Sequence, residues 1–288
     1  MIKPHRPLAP GAVADHYQDL DRIYREVWGE HVHHGLWRTG NESPTEAVEQ
    51  LVELVAAEAA IRPGDAAIDI GSGYGATARY LASKFGAKVT ALTITPAQYE
   101  YAVATDPTAD NPHYLLRDWL DSQLPDSTFD AAYAIESTEH FEDKAGAFAE
   151  AFRVLKPGGR FVICAWIAAE NAKPWERRHL LEPICREGRL PGMGTETDYR
   201  ELLAGAGFAV ESVTEFSRQV RRTWGICLRR AFGKLFTDPV SRAYLLSAAS
   251  RNRIFLLTVG RIWAAYRTGA MRYLVFRTRR LPQCDQGD

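Results

Sequence analysis

Residues Ala66 to Ala76 read AAIDIGSGYGA, and this stretch decides the fold. A short apolar run, Ala66, Ala67, Ile68 and Ile70, carries one acid, Asp69. Gly71, Gly73 and Gly75 follow at alternate positions, and Ala76 to Phe85 then reads as a helix stopped by Gly86. Strand, glycine turn and helix form the opening of a nucleotide-binding α/β domain. Glycine allows a sharp turn and lets a ligand come close with no Cβ in the way. The helix start behind it leaves N–H groups unpaired. The turn fits the loose dinucleotide pattern G-x-G-x-x-G/A. It also fits D-x-G-x-G-x-G, with an acid two residues before the first glycine. An acid there suits a cationic ligand and repels a pyrophosphate. A dinucleotide site further wants an acid about 20 residues on for the ribose, and none occurs between Ala76 and Tyr99.

On either side of this turn the chain has a regular rhythm. Ala12 to Trp28 has helical spacing, with Val13, Tyr17, Leu20, Tyr24, Val27 and Trp28 on one face. A His-rich turn, Gly29 to Trp37, follows. Ser43-Pro44-Thr45-Glu46 is a capping box that starts a helix to about Ala60. Beyond the glycine turn, strands are expected at Lys88 to Thr95, Tyr114 to Arg117, Phe129 to Ile135 and Arg160 to Trp166. Helices are expected from Pro96 to Thr105 and from Lys144 to Leu155. Such βα repeats imply a parallel sheet covered on both faces. After Trp166 come a helix near Trp175 to Glu187 and a helix capped by Thr195. Strands at Phe208 to Thr214 and Met271 to Thr278 then enclose a mostly helical insertion.

The 288 residues suffice for one large core, since chains of this size bury roughly three quarters of their unfolded surface. Cys164, Cys185, Cys227 and Cys284 are scattered without a C-x-x-C pair, which argues for a reducing, cytoplasmic setting. Prolines interrupt the N-terminus where a signal peptide needs an apolar run. No stretch reads as a membrane span. Net charge is near zero, yet Phe216 to Arg280 holds fourteen arginines and one lysine against one acid, Asp238. Solvated faces and intramolecular pairs are the plain reading of that excess. An anionic substrate or peripheral contact with an anionic membrane are the functional ones. The helix face Phe255, Val259, Ile262, Trp263 and Tyr266 is expected to point inward and the arginines outward.

The order of elements, Asp69-x-Gly71-x-Gly73-x-Gly75 and Pro157-Gly158-Gly159 before the fifth strand resemble a class I S-adenosylmethionine (SAM) methyltransferase. Trp28-Gly29-x-His31-x-His33-His34-Gly35, Leu92 to Gln98, Glu136-Ser137-Thr138-Glu139-His140 and Tyr266-Arg267-Thr268-Gly269 resemble its tocopherol O-methyltransferase-like branch. That branch stands beside cyclopropane-fatty-acid-synthase-like and prenyl-diphosphate C-methylating enzymes. The resemblance implies a Rossmann-like α/β sheet, mostly parallel with its last strand antiparallel, flanked by N-terminal helices and a helical lid. It divides the chain into a flap (1–60), a SAM-binding core (61–215), a basic lid (216–270) and a final core strand (271–280).

It also implies roles. Asp69, Gly71, Ser72 and Gly73 would face the methionine part of SAM. Thr93 stands where most members carry an acid for the ribose, and Gln98 would share that duty, an amide and a hydroxyl replacing a carboxylate. Asp118 would accept from the adenine amino group, with Trp119 packing on the ring. Trp28, His33 and Gly35 would lie in the flap near the cofactor or the substrate. Glu136 to His140 follows the fourth strand, at the sheet edge where open α/β sheets bind ligands. His140 suits a base for a phenol or amine, whereas Glu136 would serve a carbocation if the acceptor were an alkene. No metal is expected from His31, His33 and His34, which lack a partnering Cys or Asp cluster. Tyr17, Tyr24, Trp28 and Trp37 are expected to fasten the N-terminal helices to the body. The expected partner is a hydrophobic small-molecule acceptor, most simply an aromatic hydroxyl, and not a nucleic acid. C-methylation of an isoprenoid or prenyl diphosphate, or a SAM- or NAD-binding module without turnover, are the alternatives.

Overall fold

A computed structural model describes residues 1–4, 9, 11–105, 110–239 and 255–281. Seven strands form one sheet: β1 Ala66–Ile70, β2 Lys88–Thr93, β3 His113–Leu116, β4 Phe129–Ile135, β5 Leu155–Ala168, β6 Phe208–Glu215 and β7 Met271–Arg280. Their order is β3-β2-β1-β4-β5-β7-β6. The first five strands are parallel, and β7 runs antiparallel to both β5 and β6. The order of strands reverses between β1 and β4, so a crevice opens at the carboxyl ends of these two strands, where such sheets take ligands.

Alternation along the strands builds two cores. Ile68, Ile70, Phe161, Ile163, Ala165 and Phe276 face α5 (Lys144–Val154) and α8 (Glu196–Gly205), meeting Phe148, Ala151, Tyr199 and Leu203. Tyr199 stacks on Phe276 at 5.3 Å between ring centroids. Ala67, Val89, Tyr133, Val162, Cys164 and Tyr273 point the other way. They pack on α2 (Pro44–Glu58), α3 (Ala76–Phe85), α7 (Glu182–Glu187) and α11 (Phe255–Thr268). Successive side chains of a strand point to opposite faces, so a run apolar at every position must be covered twice.

The helix ends follow their local chemistry. Ser43 Oγ accepts from the Glu46 N–H at 3.2 Å while Glu46 accepts from the Ser43 N–H at 2.7 Å, the reciprocal capping box. Thr195 and Asp198 repeat it at α8. α1 (Ala12–Val27) lies against α4 (Pro96–Thr105) and α10 (Arg222–Thr237), so the N-terminal helix roofs the crevice.

Several boundaries move. The second strand ends at Thr93, not Thr95, because Thr95 N–H turns back onto Thr93 Oγ1. β5 begins at Leu155, and Lys156 to Gly159 bulge out where pairing jumps from Phe129–Leu155 to Ala131–Arg160. The 55-residue insertion supplies α9 (Ser217–Val220), α10 and α11. Val259, Ile262 and Tyr266 are buried as expected, but Trp263 is 41% exposed. It carries the Arg267 guanidinium 4.7 Å from its ring centre, so its indole serves as a cation platform at the surface. The side chain of Phe255 and residue Cys284 lie outside the described residues. Arg221, Arg222 and Arg229 are exposed. Part of the basic excess is neutralised within the fold: Arg272 pairs with Glu215, Arg277 with Glu58 and Glu211, and Arg279 with Glu211.

Candidate active site

Two cavities meet above the carboxyl ends of β1, β2 and β4. The larger, about 600 Å³, is lined by Gly71, Gly73, Thr93, Gln98, Asp118, Trp119, Glu136 and His140, with α1 closing over them. The smaller, about 280 Å³, has walls of Tyr24, Trp28, Trp166, Trp224, Val259 and Ile262. Tyr17, Val32, Glu136 and His140 line both. The larger cavity is therefore a cofactor-sized cleft with polar groups set among apolar walls, and the smaller is an aromatic chamber behind it.

The three glycines of the turn all have left-handed backbones, but for different reasons. A Cβ on Gly71 would lie 2.5 Å from the Ser137 Cβ, and one on Gly75 would lie 2.6 Å from the Tyr114 ring. Packing forbids both. A Cβ on Gly73 would meet nothing within 4 Å, and Gly73 lines the cleft. The space above Gly73 is open to a ligand.

Asp69 and Ser72 lie under the turn and not on the cleft wall. Asp69 Oδ2 and Ser72 Oγ are buried without hydrogen-bonding partners. Burial pushes the Asp69 carboxyl up to about 7, with the neighbouring Tyr133 hydroxyl pulling slightly the other way. A buried acid that lacks a counter-charge suits an approaching cation.

On the opposite wall Thr93 Oγ1 donates to Gln98 Oε1 at 2.8 Å. That leaves the NH2 end of the amide for a ligand. Asp118 Oδ1 caps the Leu120 N–H at 2.9 Å, so this carboxylate is both a turn cap and part of the cleft. The indole N–H of Trp119 donates to the Ala147 carbonyl at 2.8 Å, fixing its ring in the wall.

Glu136 is left-handed (φ 57) at the end of β4. Its Oε1 accepts from the His34 backbone N–H and from the Tyr273 hydroxyl, each at 2.8 Å, and its Oε2 lies 2.8 Å from His34 Nδ1. Trp224 Nε1, which can only donate, lies 2.5 Å from His34 Nε2. His34 Nε2 must therefore accept, and Nδ1 carries the hydrogen that goes to Glu136. Burial alone would raise the Glu136 carboxyl, but His34 and the other donors bring it below its ordinary value. Glu136 is thus an ionised anchor joining the turn at His34 to the last strand.

His140 differs. Its Nε2 lies 2.9 Å from the Tyr17 hydroxyl, and its Nδ1 is buried without a partner. Burial and the Lys144 ammonium push it down to about 4, against the pull of the Arg189 carbonyl and the Glu136 charge. It is a neutral imidazole at pH 7, the form that accepts a proton.

The flap residues are placed otherwise than the resemblance implies. His33 and Gly35 line neither cavity. His33 Nδ1 donates to the His34 carbonyl at 2.8 Å, and the Gly35 N–H donates to Thr223 Oγ1 at 3.0 Å. A Cβ on Gly35 would strike Ala47 and Trp37 at 2.8 Å, so its glycine serves packing. Val32 is the flap residue at the junction, and His34 acts there through its bonds to Glu136. Among the described residues no group of three His, Cys, Asp or Glu could hold a metal.

A methyltransferase-domain family profile matches residues 68–163, from β1 to the middle of β5. The chloroplastic tocopherol O-methyltransferase of Arabidopsis thaliana is 31% identical over 240 residues, covering 76% of this chain and 69% of that protein. The chain belongs to the class I SAM-dependent methyltransferases. The methyltransferase is also 30% identical to the sarcosine/dimethylglycine N-methyltransferase of Halorhodospira halochloris, across 72% of this chain and 75% of that one. A cyclopropane synthase from Mycobacterium tuberculosis shares its fold, with a TM-score of 0.78 at 20% identity over 92% and 95% of the two chains.

SAM is the cofactor of this methyltransferase, and the site fits it. The space above Gly73 is free, the orphaned Asp69 oxygen suits an ammonium, and polar donors and acceptors line the opposite wall. Sequence reasoning took Tyr17 for packing alone, placed Trp28 near the cofactor or substrate, and did not single out Trp224, Tyr273 or Arg189. Tyr17 does carry a signal, since it falls on the same face of α1 as Tyr24. The others come from distant segments with no motif around them.

Proposed function

We propose that the methyltransferase O-methylates a small aromatic or otherwise apolar hydroxyl compound, with His140 taking the proton. One observation carries this reading: the cofactor cleft and the aromatic chamber join at Tyr17, Val32, Glu136 and His140. A methyl donor in the first and a flat acceptor in the second would meet beside a neutral imidazole. SAM supplies the electrophilic methyl group. Gly71 and Gly73 leave room for its methionine end, Asp69 offsets its ammonium, Thr93 with Gln98 holds the ribose, and Asp118 beside Trp119 holds the adenine.

Displacement at a sulfonium needs alignment and exclusion of water more than acid–base power. The acceptor hydroxyl becomes strongly acidic as its oxygen gains the methyl group, so even a weak base suffices. Tyr17 orients the imidazole and gives the incoming hydroxyl a polar contact. Residues 1–60 act as a flap and 216–270 as a lid around the core.

An amine in place of the hydroxyl would use the same geometry. C-methylation of a prenyl diphosphate is supported less. Glu136, which would face the carbocation, is engaged by three donors, and Arg221, Arg222 and Arg229 of the lid are exposed. An assay with methyl-labelled SAM against phenols, amines and prenyl diphosphates tests the choice. Label in a prenyl product and none in any phenol or amine would overturn it.

A further inference from the structure

Arg189 stands at a backbone position that favours glycine. After α7 the Gly188 N–H bonds to the Ile184 carbonyl and the Leu190 N–H reaches back to the Cys185 carbonyl, both at 2.8 Å. This closure needs a left-handed residue just past the cap, commonly glycine. Here that residue is Arg189, with φ 54, while the neighbouring glycine, Gly188, sits one place too early to help. A left-handed non-glycine residue costs stability and tends to persist where a ligand site requires its side chain.

Arg189 lines the aromatic chamber, with its charge felt by His16 and its backbone carbonyl facing His140. Among the described residues it makes no ion pair and no side-chain hydrogen bond. The other charged groups that line the chamber each have a partner. Arg186 pairs with Glu187 at 3.0 Å, Arg261 pairs with the same carboxylate at 2.5 Å, and Glu136 is held by His34 and Tyr273. His16 and His140, which also line the chamber, are held neutral by burial. Arg189 is thus the charged group of the chamber lining that has no bonded partner among the described residues, and its guanidinium donors are open to an anion.

We propose that Arg189 sets acceptor specificity by binding a carboxylate carried by the acceptor. The proposal rests on the small chamber being the acceptor site. One planar guanidinium matches one planar carboxylate through two parallel hydrogen bonds. A diphosphate would call for several cations, and among the described residues Arg189 is the cation lining this chamber that no carboxylate already holds. The acceptor is then a compact hydroxy acid, apolar between its carboxylate and its hydroxyl, of a size that about 280 Å³ admits.

The test uses the full chain saturated with S-adenosylhomocysteine. The binding probes are 4-hydroxybenzoate, its neutral counterpart 4-hydroxybenzyl alcohol, and pyrophosphate, followed by calorimetry or by the fluorescence of Trp28, Trp166 and Trp224. Wild type should bind the carboxylate at least about tenfold more tightly than the alcohol. In Arg189→Gly the ratio should fall to near one, with S-adenosylhomocysteine affinity kept and the melting temperature up by about 2 °C from the relieved backbone. Arg189→Lys should keep part of the preference. Equal binding of the two probes by wild type, or a preference that survives Arg189→Gly, would overturn the proposal. Tighter binding of pyrophosphate than of 4-hydroxybenzoate would overturn the carboxylate assignment. An intact preference without methyl transfer to any hydroxyl would support the anion site and sink the O-methylation reading instead.

Discussion

The Tyr17 hydroxyl lies 2.9 Å from His140 Nε2, tying the N-terminal helix to the turn after β4 where the two cavities join. With His140 as the base, His140→Ala should lower turnover by about 10²–10⁴. S-adenosylhomocysteine affinity should change little. Tyr17→Phe should cost less, about tenfold, since it removes only an orienting partner. Single-turnover methyl transfer with parallel calorimetry separates chemistry from binding. A dispensable His140 together with an essential Glu136 would point to the carbocation route. Because the imidazole is neutral down to about pH 4, the rate should be flat from pH 6 to 8, without a step near the ordinary histidine value.

Glu136 is expected to matter for stability more than for chemistry. Glu136→Gln leaves an amide NH2 where a carboxylate oxygen accepted from a His34 N–H, which can only donate, and this should destabilise the fold by about 1–3 kcal/mol. The carboxyl is held below its ordinary value, so its stabilisation is present above that ordinary value and is lost as pH falls through the folded one. Urea unfolding at pH 7 and pH 3 should show the wild-type advantage shrinking at the lower pH. An undiminished gap would count against the anchor role.

The glycines of the turn should separate by function. Gly71→Ala meets Ser137 and should destabilise the protein by about 1–3 kcal/mol. Gly73→Ala meets no protein atom and should cost about 1 kcal/mol from its left-handed backbone alone. It should nevertheless weaken SAM binding by at least about tenfold, because its methyl group would enter the space left for the cofactor. Melting curves and S-adenosylhomocysteine titrations of the two variants check this. Full cofactor affinity in Gly73→Ala would remove that glycine from the site.

Asp69 should link cofactor binding to pH. Its carboxyl is raised to about 7, so in the free protein it is largely protonated below that value. The proton stabilises the fold, and that contribution fades as pH rises from the unfolded value toward about 7. S-adenosylhomocysteine affinity should therefore climb with pH up to about 7 and then level off. Asp69→Asn should flatten this dependence, lower the affinity, and raise the melting temperature at pH 8 more than at pH 5. Calorimetry across pH with both proteins decides the matter.

The sequence by itself determined the sheet. Alternating βα units, the glycine turn with Asp69 before it, and caps at Ser43 and Thr195 are local signals, each set by residues within a few positions of one another. For the same reason it gave Gly73, Thr93, Gln98, Asp118 and Trp119, which follow the ends of consecutive parallel strands and must gather at one edge of the sheet. Tertiary structure alone decided what the remaining polar groups do. Glu136 and His140 are four residues apart in one motif, yet one is bonded by His34 and Tyr273 and the other by Tyr17. Those partners come from about 100 or more residues away, and no pattern of spacing encodes such a meeting. Trp263 kept the helical spacing of a core residue and still lies at the surface, because the apolar stripe of α11 is narrower than its aromatic content. Arg189 looks in the sequence like any arginine beside a glycine. Its left-handed backbone and the aromatic chamber around it exist only once the helix end and the lid have packed together.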